Sequence, residues 1–111
     1  MLIEKFVRDY LLTKLNVPVY MEQPTGRVSE YVVFYVTDRG KENHINMATV
    51  EFSSYADSKF DAAELDQDLR DAMEGIVETP EIFASKFGGG NDDKDNELNR
   101  YRYRSYFNLY Y

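Results

Sequence analysis

Alternating apolar and polar positions in the middle of the chain predict two adjacent strands. Residues 46–52 alternate with a period of two, which is the pattern of a strand with one buried side. Residues 31–37 are β-branched or aromatic throughout and predict a central strand. The inward side chains are expected to be Val32, Phe34, Val36, Ala48, Val50 and Phe52. Because Gly40 can adopt positive φ, segment 38–41 predicts the turn that joins the strands into a hairpin.

Two further segments have the spacing of amphipathic helices. Residues 2–15 repeat apolar side chains at i, i+3/i+4 and i+7, and the helix is expected to stop before Pro18. A second helix should begin at Ser58, whose side chain can accept from free backbone amides, with Asp61 on the positive helix end. Its apolar stripe comprises Ala62, Leu65, Leu69, Ala72, Met73 and Ile76. The opposite side of this helix is acidic.

The remaining segments complete the predicted fold. Residues 17–21 suggest a short β segment. Residues 100–110 predict a long last strand with its three arginines on one face and, on the other, Tyr101, Tyr103, Phe107 and Leu109. If that strand pairs with residues 46–52, its arginines can meet Glu51 across the ladder. Residues 88–99, rich in glycine and aspartate, predict a flexible loop. We therefore expect one α+β domain over residues 1–111: an antiparallel four-stranded sheet with both helices packed on one face.

The charge of the chain limits the classes of partner that the protein is expected to bind. The net charge is −7, and eight acids face only Lys59 and Arg70 between residues 57 and 78. A nucleic-acid or anionic-membrane binder needs a basic surface, so this balance argues against both. The chain has no cysteine, no secretory signal pattern and no apolar run of the roughly 20 residues that span a bilayer, which predicts a cytoplasmic protein.

The candidate catalytic and metal-binding patterns in the sequence each lack required residues. His44 is the sole histidine, and no cysteine accompanies it in a zinc site or a nucleophilic dyad. Asp93, Asp95 and Glu97 have the spacing of a calcium loop, but Leu98 and Arg104 stand where that loop needs glycine and glutamate. We expect no catalytic residue, no metal and no cofactor, and hence no enzyme.

Aromatic residues are more abundant than a small core requires. The chain has ten tyrosines and seven phenylalanines. Tyrosine tolerates both water and contact, so the excess indicates protein–protein interfaces, although a tyrosine-rich sheet face alone would give the same composition. The alternation of arginine and tyrosine over residues 100–106 could also suit single-stranded nucleic acid, an alternative that the net charge opposes.

One stretch of the chain resembles a known family. The strand exit Ala48-Thr49-Val50-x-Phe52-Ser53-Ser54-Tyr55-Ala56-x-Ser58, followed by a helix with Ala62, Ala63, Leu65 and Leu69, is similar to the small tail-terminator (tail-completion) proteins of long-tailed bacteriophages. The similarity extends to the Glu30-Tyr31-Val32-Val33 strand, the N-terminal helix and the C-terminal strand rich in tyrosine and arginine. Residues 88–99 have no counterpart in it.

The resemblance implies a structural subunit that forms a ring, commonly a hexamer, on the end of the tail tube. Such a ring would end tube polymerisation and present the surface that joins the tail to the head connector protein. Its partners would be other copies of itself, the tail tube protein and the head–tail connector protein, with DNA only as passing cargo that does not stick. It would assemble in the bacterial host cytoplasm and remain in the virion tail.

The same resemblance suggests site residues. Subunit contacts are expected on the last strand, at Tyr101, Arg102, Tyr103, Arg104 and Tyr106. Acidic residues are expected to line or approach the lumen and repel DNA: Asp68, Asp71, Glu74, Asp92, Asp93 and Asp95. A head–tail connector or stopper subunit and a non-phage adaptor domain that binds one protein partner remain the alternatives.

Overall fold

Two helices lie against one face of a five-stranded mixed sheet in the computed structural model, which describes residues 1–111. The helices are α1 (Ile3–Lys14) and α2 (Lys59–Gly75), the latter continued by a 3₁₀ turn at Ile76–Glu78. The strands are β1 (Val19–Tyr20), β2 (Tyr31–Glu42), β3 (Ile45–Ala56), β4 (Ala84–Asp95) and β5 (Arg100–Tyr110). This confirms the α+β class with two helices.

The strand order is β1-β2-β3-β5-β4, and all neighbours are antiparallel except β1 and β2. The prediction of four antiparallel strands was therefore wrong in strand number and in the direction of one pair. Val19 pairs with Val32 in a parallel ladder because the chain leaves β1, crosses back through residues 21–30 and re-enters the sheet beside its own starting point.

The prediction of a flexible loop at 88–99 was also wrong for most of this segment. Residues 88–95 belong to β4, which pairs with β5 from Ala84 to Asp95, and only residues 96–99 form the connecting turn. The composition of this segment disfavours a strand, but its backbone groups are satisfied by β5 and its aspartates face the arginines of that strand. A bulge at Gly88 shifts the register between Phe87 and Gly89.

The hairpin turn between β2 and β3 lies farther along the chain than the sequence suggested. Residues 38–41 continue the strand, with Gly40 opposite Met47. The chain reverses at Asn43 and His44, whose φ angles of 51° and 66° fit the two-residue turns that need positive φ at both central positions. A bulge at Thr37 shifts the β2–β3 register between Val36 and Asp38.

The predicted inward faces are confirmed. One core cluster joins α1, α2 and the sheet, so both helices cover the same face; its strand residues include Val32, Phe34, Ala48, Val50 and Phe52, with Val36 packed against it. Ser58 caps α2 by accepting from the Asp61 amide at 3.1 Å. These contacts place α2 over β3 and β5.

A buried polar contact fastens α2 to β5. The Ser105 hydroxyl donates to the Asp66 carboxylate at 2.6 Å, and Arg70 Nε lies 2.9 Å from the other Asp66 oxygen. The Arg70 guanidinium also lies 4.5 Å from the centre of the Phe87 ring. Burial raises the pKa of Asp66, while Ser105 and Arg70 lower it. The contact therefore connects the helix to both strands of the β4–β5 hairpin.

Candidate functional site

The sheet face opposite the helices, here called the open face, has no helix over it. Side chains alternate along β5, and Ser105, Phe107 and Leu109 pack on the helix side. The open face therefore receives the side chains between and before them: Arg100, Arg102, Arg104 and Tyr106. The bulge at Gly88 changes the phase of β4 and brings two of its aspartates to the same face. The open face is thus built from aromatic, arginine and carboxylate side chains.

The charged side chains of the open face form one network. Two nitrogens of Arg102 donate to the two oxygens of Asp93, each at 2.8 Å, and Arg102 also reaches Asp95 at 3.4 Å. Arg104 donates to Asp93 at 2.5 Å and lies 3.7 Å from Glu51, which confirms the predicted contact between an arginine and Glu51. The hydrogen bonds from Arg102 and Arg104 lower the pKa of Asp93 to about 2. These arginines are already neutralised within the subunit.

Aromatic rings extend the network toward the first part of β2. The rings of Tyr31 and Tyr55 stack with centroids 4.8 Å apart, and the Tyr55 hydroxyl donates to Asp95 at 3.1 Å. Gln23 donates to that hydroxyl at 3.0 Å and accepts from the Tyr31 hydroxyl at 3.1 Å. Burial raises the pKa of both tyrosines. Sequence reasoning did not single out these two tyrosines; the signal was that both lie on the outward phase of a strand whose inward phase is apolar.

Residues 21–30 cover this end of the open face. Arg100, which is almost fully buried, donates to the backbone carbonyls of Val28 and Ser29. Val28 also packs against the cluster formed by Tyr31, Val33 and Tyr55. The segment is therefore held on the sheet by both polar and apolar contacts.

The other end of the open face has no such cover. Tyr35 is 43% exposed and Ile45 is 40% exposed, whereas comparable apolar residues on the helix side of these strands are buried. Half-buried side chains complete this region: Met47, Thr49, Glu51, Tyr106, Asn108 and Tyr110. This half of the open face and the sheet edges beside it are the surfaces available to another protein.

The five residues predicted at subunit contacts do not form one surface. Arg102, Arg104 and Tyr106 lie on the open face. Tyr101 and Tyr103 lie on the helix side, in a shallow depression shared with Lys59 and Asp92. The predicted alternation, with Tyr101 and Tyr103 opposite the arginines, is confirmed, and it divides the five residues between two faces.

The six acids predicted at the lumen are also divided. Asp68, Asp71 and Glu74 are exposed on α2, and Asp92 is exposed on the helix side, 3.2 Å from Lys59 Nζ. Asp93 and Asp95 lie on the open face, where they pair with arginines. Since their charge is compensated within the subunit, these two acids do not contribute to a repulsive surface.

The net negative charge belongs to the helix side. Residues 57–81 contain nine carboxylates and two basic side chains, Lys59 and Arg70. The net charge of this segment is therefore −7, the same as that of the whole chain. The remaining residues, which include all five strands, contain eleven basic and eleven acidic side chains and sum to zero charge. A second copy can approach these regions without meeting a net charge of its own sign.

No three His, Cys, Asp or Glu side chains are grouped so that they could hold a metal ion. Neither helix has the length and apolarity needed to cross a membrane. Scans against protein-family models and against curated proteins find no match to this chain.

Proposed function

We propose that this protein is a structural subunit of a long-tailed bacteriophage tail, a terminator that forms a ring on the end of the tail tube. The ring ends tube polymerisation and offers the surface to which the head–tail connector protein binds. Assembly takes place in the bacterial host cytoplasm, and the ring is then carried in the virion tail. The sequence resemblance suggested this role.

The proposal is supported mainly by a sheet region that no helix covers and that lies beside unpaired strand edges. A closed ring needs two different patches on one subunit that fit each other head to tail. Here β4 forms one sheet edge, and the second half of β2 is unpaired at the opposite edge. Tyr35 and its half-buried neighbours lie next to that second edge. Both patches therefore exist on one molecule, at opposite ends of the same sheet.

The acidic helix α2 fits the lumen of such a ring. Asp68, Asp71 and Glu74 are exposed on it and have no arginine or lysine partner among the ion pairs of the molecule. A channel wall of this charge repels DNA phosphates and lets the genome pass. The proposal accordingly assigns these three acids to the lumen and leaves out Asp92, which pairs with Lys59 at 3.2 Å.

The mass of the protein in solution tests the proposal first. We expect light scattering across a concentration series, with and without tail tubes, to show a closed ring whose mass is a whole-number multiple of 13.0 kDa. Association is expected to be concentration-dependent, because oligomerisation follows mass action. A monomer that ignores tubes and captures one other protein would contradict the ring and favour an adaptor. Mass spectrometry of tails detached from heads separates a terminator, which stays with the tail, from a head-bound connector.

Charge reversal of α2 tests the lumen assignment. Replacing Asp68, Asp71 and Glu74 by lysine should leave ring formation intact but create rings that bind duplex DNA in a strongly salt-dependent way. With about three phosphates neutralised per subunit, binding should weaken steeply between about 50 and 200 mM salt. Fluorescence anisotropy of a labelled duplex measures this directly.

A matched variant controls for net charge. Glu22, Glu30 and Glu97 are exposed and lie outside α2, so replacing these three by lysine changes the net charge equally. We expect this control ring to bind DNA much more weakly. Equal DNA binding by the two triple variants would show that the acids of α2 have no special position and would contradict the lumen assignment.

A further inference from the structure

Two strand edges of the sheet have no partner. β4 is the last strand at one side, so its outer backbone groups are unpaired along residues 84–95. At the other side β1 covers β2 only at Val32 and Val33, which leaves residues 35–42 unpaired. Unpaired edges can bind another strand unless the protein prevents it.

The directions of these two edges suit continuation of the sheet. β2 is antiparallel to β3, β3 to β5 and β5 to β4, so β4 runs opposite to β2. A second copy placed beside the first in the same orientation therefore brings its β4 against β2 as an antiparallel pair. Antiparallel pairing of this kind continues the existing ladder without a change of strand direction.

Bulges set the register of such a pair. Thr37 is the extra residue of β2, next to the row in which Val36 pairs with Val50. Gly88 is the extra residue of β4, next to the row in which Phe87 pairs with Phe107, which is also the row of Val50. The two bulges thus flank this row on opposite sides, Thr37 toward the row of Thr49 and Gly88 toward the row of Glu51. Because each strand carries one extra residue, a copy moved sideways without sliding keeps the rows beyond both bulges in step.

The side chains in this register complement one another row by row. Asp38 and Lys86 fall in the same row and on the same open face, as a pair of opposite charges. Val36 and Phe87 share the next row on the helix side, where Phe87 is 49% exposed. In the row after that, exposed Tyr35 meets Gly89, and an aromatic ring beside an edge glycine supplies the packing that glycine lacks.

We propose that a second copy of this chain occupies each edge, with residues 84–89 of β4 in one subunit paired antiparallel to residues 35–40 of β2 in the next. The inference rests on the proposed ring and names the contact that closes it. Bulges and charges ordinarily protect an edge from pairing. Here each strand has one extra residue beside the same row, and Asp38 and Lys86 have opposite charges in this register, so the two edges fit each other.

Engineered cysteines test the contact, because the chain has none of its own. In one subunit Asp38 and Lys86 are three strand spacings apart, about 14 Å, which is too far for an intrachain disulfide. In the proposed pair their Cβ atoms are about 5 Å apart, which permits one. We therefore mix the single variants Asp38→Cys and Lys86→Cys and oxidise the mixture under conditions in which the protein associates. About tenfold more 38–86 dimer is expected than in a control mixture of Asp38→Cys with Asn91→Cys.

The control position is matched and the outcomes are distinct. Asn91 lies on the same strand and the same face as Lys86, but opposite the row of Val33. Rings that form with no more 38–86 than 38–91 disulfide would overturn the edge contact and leave the ring intact. Disulfide at 38–86 without ring formation on tubes would support the edge contact and overturn the terminator role. Absence of both association and disulfide would overturn both.

Charge exchange gives a second measurement that needs no disulfide. Asp38→Lys and Lys86→Asp should each weaken association, because each places like charges in one row. The double variant should restore it. Association that is equally weak in the double variant and in the two single variants would contradict the proposed row, since the restored pair is then not formed.

Discussion

Replacing Gly90 by alanine is expected to destabilise the fold by about 2–3 kcal/mol. A Cβ atom at this position would lie 2.4 Å from the carbonyl oxygen of Arg104 and 3.0 Å from Nη2 of Arg70. The first of these neighbours is backbone of the paired strand and cannot move without breaking the ladder. The contact with Arg104 is relieved only if β4 moves away from β5, and Arg70 must also shift from its place beside Asp66, so the substitution costs stability. Urea unfolding followed by circular dichroism measures the difference.

Gly88→Ala is the matched control for this prediction. Gly88 is two residues away on the same strand, yet a Cβ atom there would meet nothing closer than 3.6 Å. Alanine also reduces the freedom of the unfolded chain, so this variant should be neutral or more stable by about 0.5 kcal/mol. If both variants lost the same stability, the cost would come from replacing glycine in this strand in general and not from contact with Arg104 and Arg70.

The apolar patterns carried most of the fold. The period of two in residues 46–52 correctly assigned Ala48, Val50 and Phe52 to the core, and the helical spacing found both helices. These patterns are reliable because an apolar residue on the outward face would expose its surface to water. The direction of β1 was not predictable in this way, since two residues pack equally well in a parallel or an antiparallel ladder.

β4 was missed for a different physical reason. Its outer residues are glycines and aspartates, which disfavour strands by local preference and were therefore assigned to a loop. The strand is held instead by cross-strand partners: Asp93 pairs with Arg102 directly opposite, and Arg102 also reaches Asp95. Alternating acids followed after a short turn by alternating arginines were the available signal. Such a signal depends on two segments together and is invisible when each is assessed alone.

The candidate surface was only partly predictable, for a related reason. The last strand was correctly identified, but its tyrosines at 101 and 103 lie on the helix side, away from Tyr106. The aromatic pair of Tyr31 and Tyr55 comes from strands whose sequence indicates only a buried inner face. Which outward residues meet depends on the register between strands, and the two bulges at Thr37 and Gly88 set that register.

Asp93→Asn is expected to cost about 1–2 kcal/mol of stability near pH 7. The pKa of Asp93 falls from its ordinary value of 3.8 to about 2 because Arg102 and Arg104 stabilise its charged form. A shift of this size corresponds to about 2.4 kcal/mol at 1.36 kcal/mol per pKa unit. One third of the side chain is exposed, so solvent screening reduces the figure. Asparagine keeps the shape of the side chain but leaves two half-buried arginines without their shared anion.

The way in which stability depends on pH shows whether the charge or the shape of the Asp93 side chain stabilises the fold. Because the folded pKa of Asp93 is lowered, its contribution is complete above about pH 4 and is lost as the pH falls through about 2. The stability difference between the natural protein and Asp93→Asn, measured by urea unfolding from pH 7 to pH 2, should therefore shrink toward zero at the acid end. Asp92→Asn, at an exposed ion pair with Lys59, should differ from the natural protein by less than about 0.5 kcal/mol. A difference for Asp93→Asn that stays constant across this range would mean that geometry, not the shared anion, holds β4 to β5.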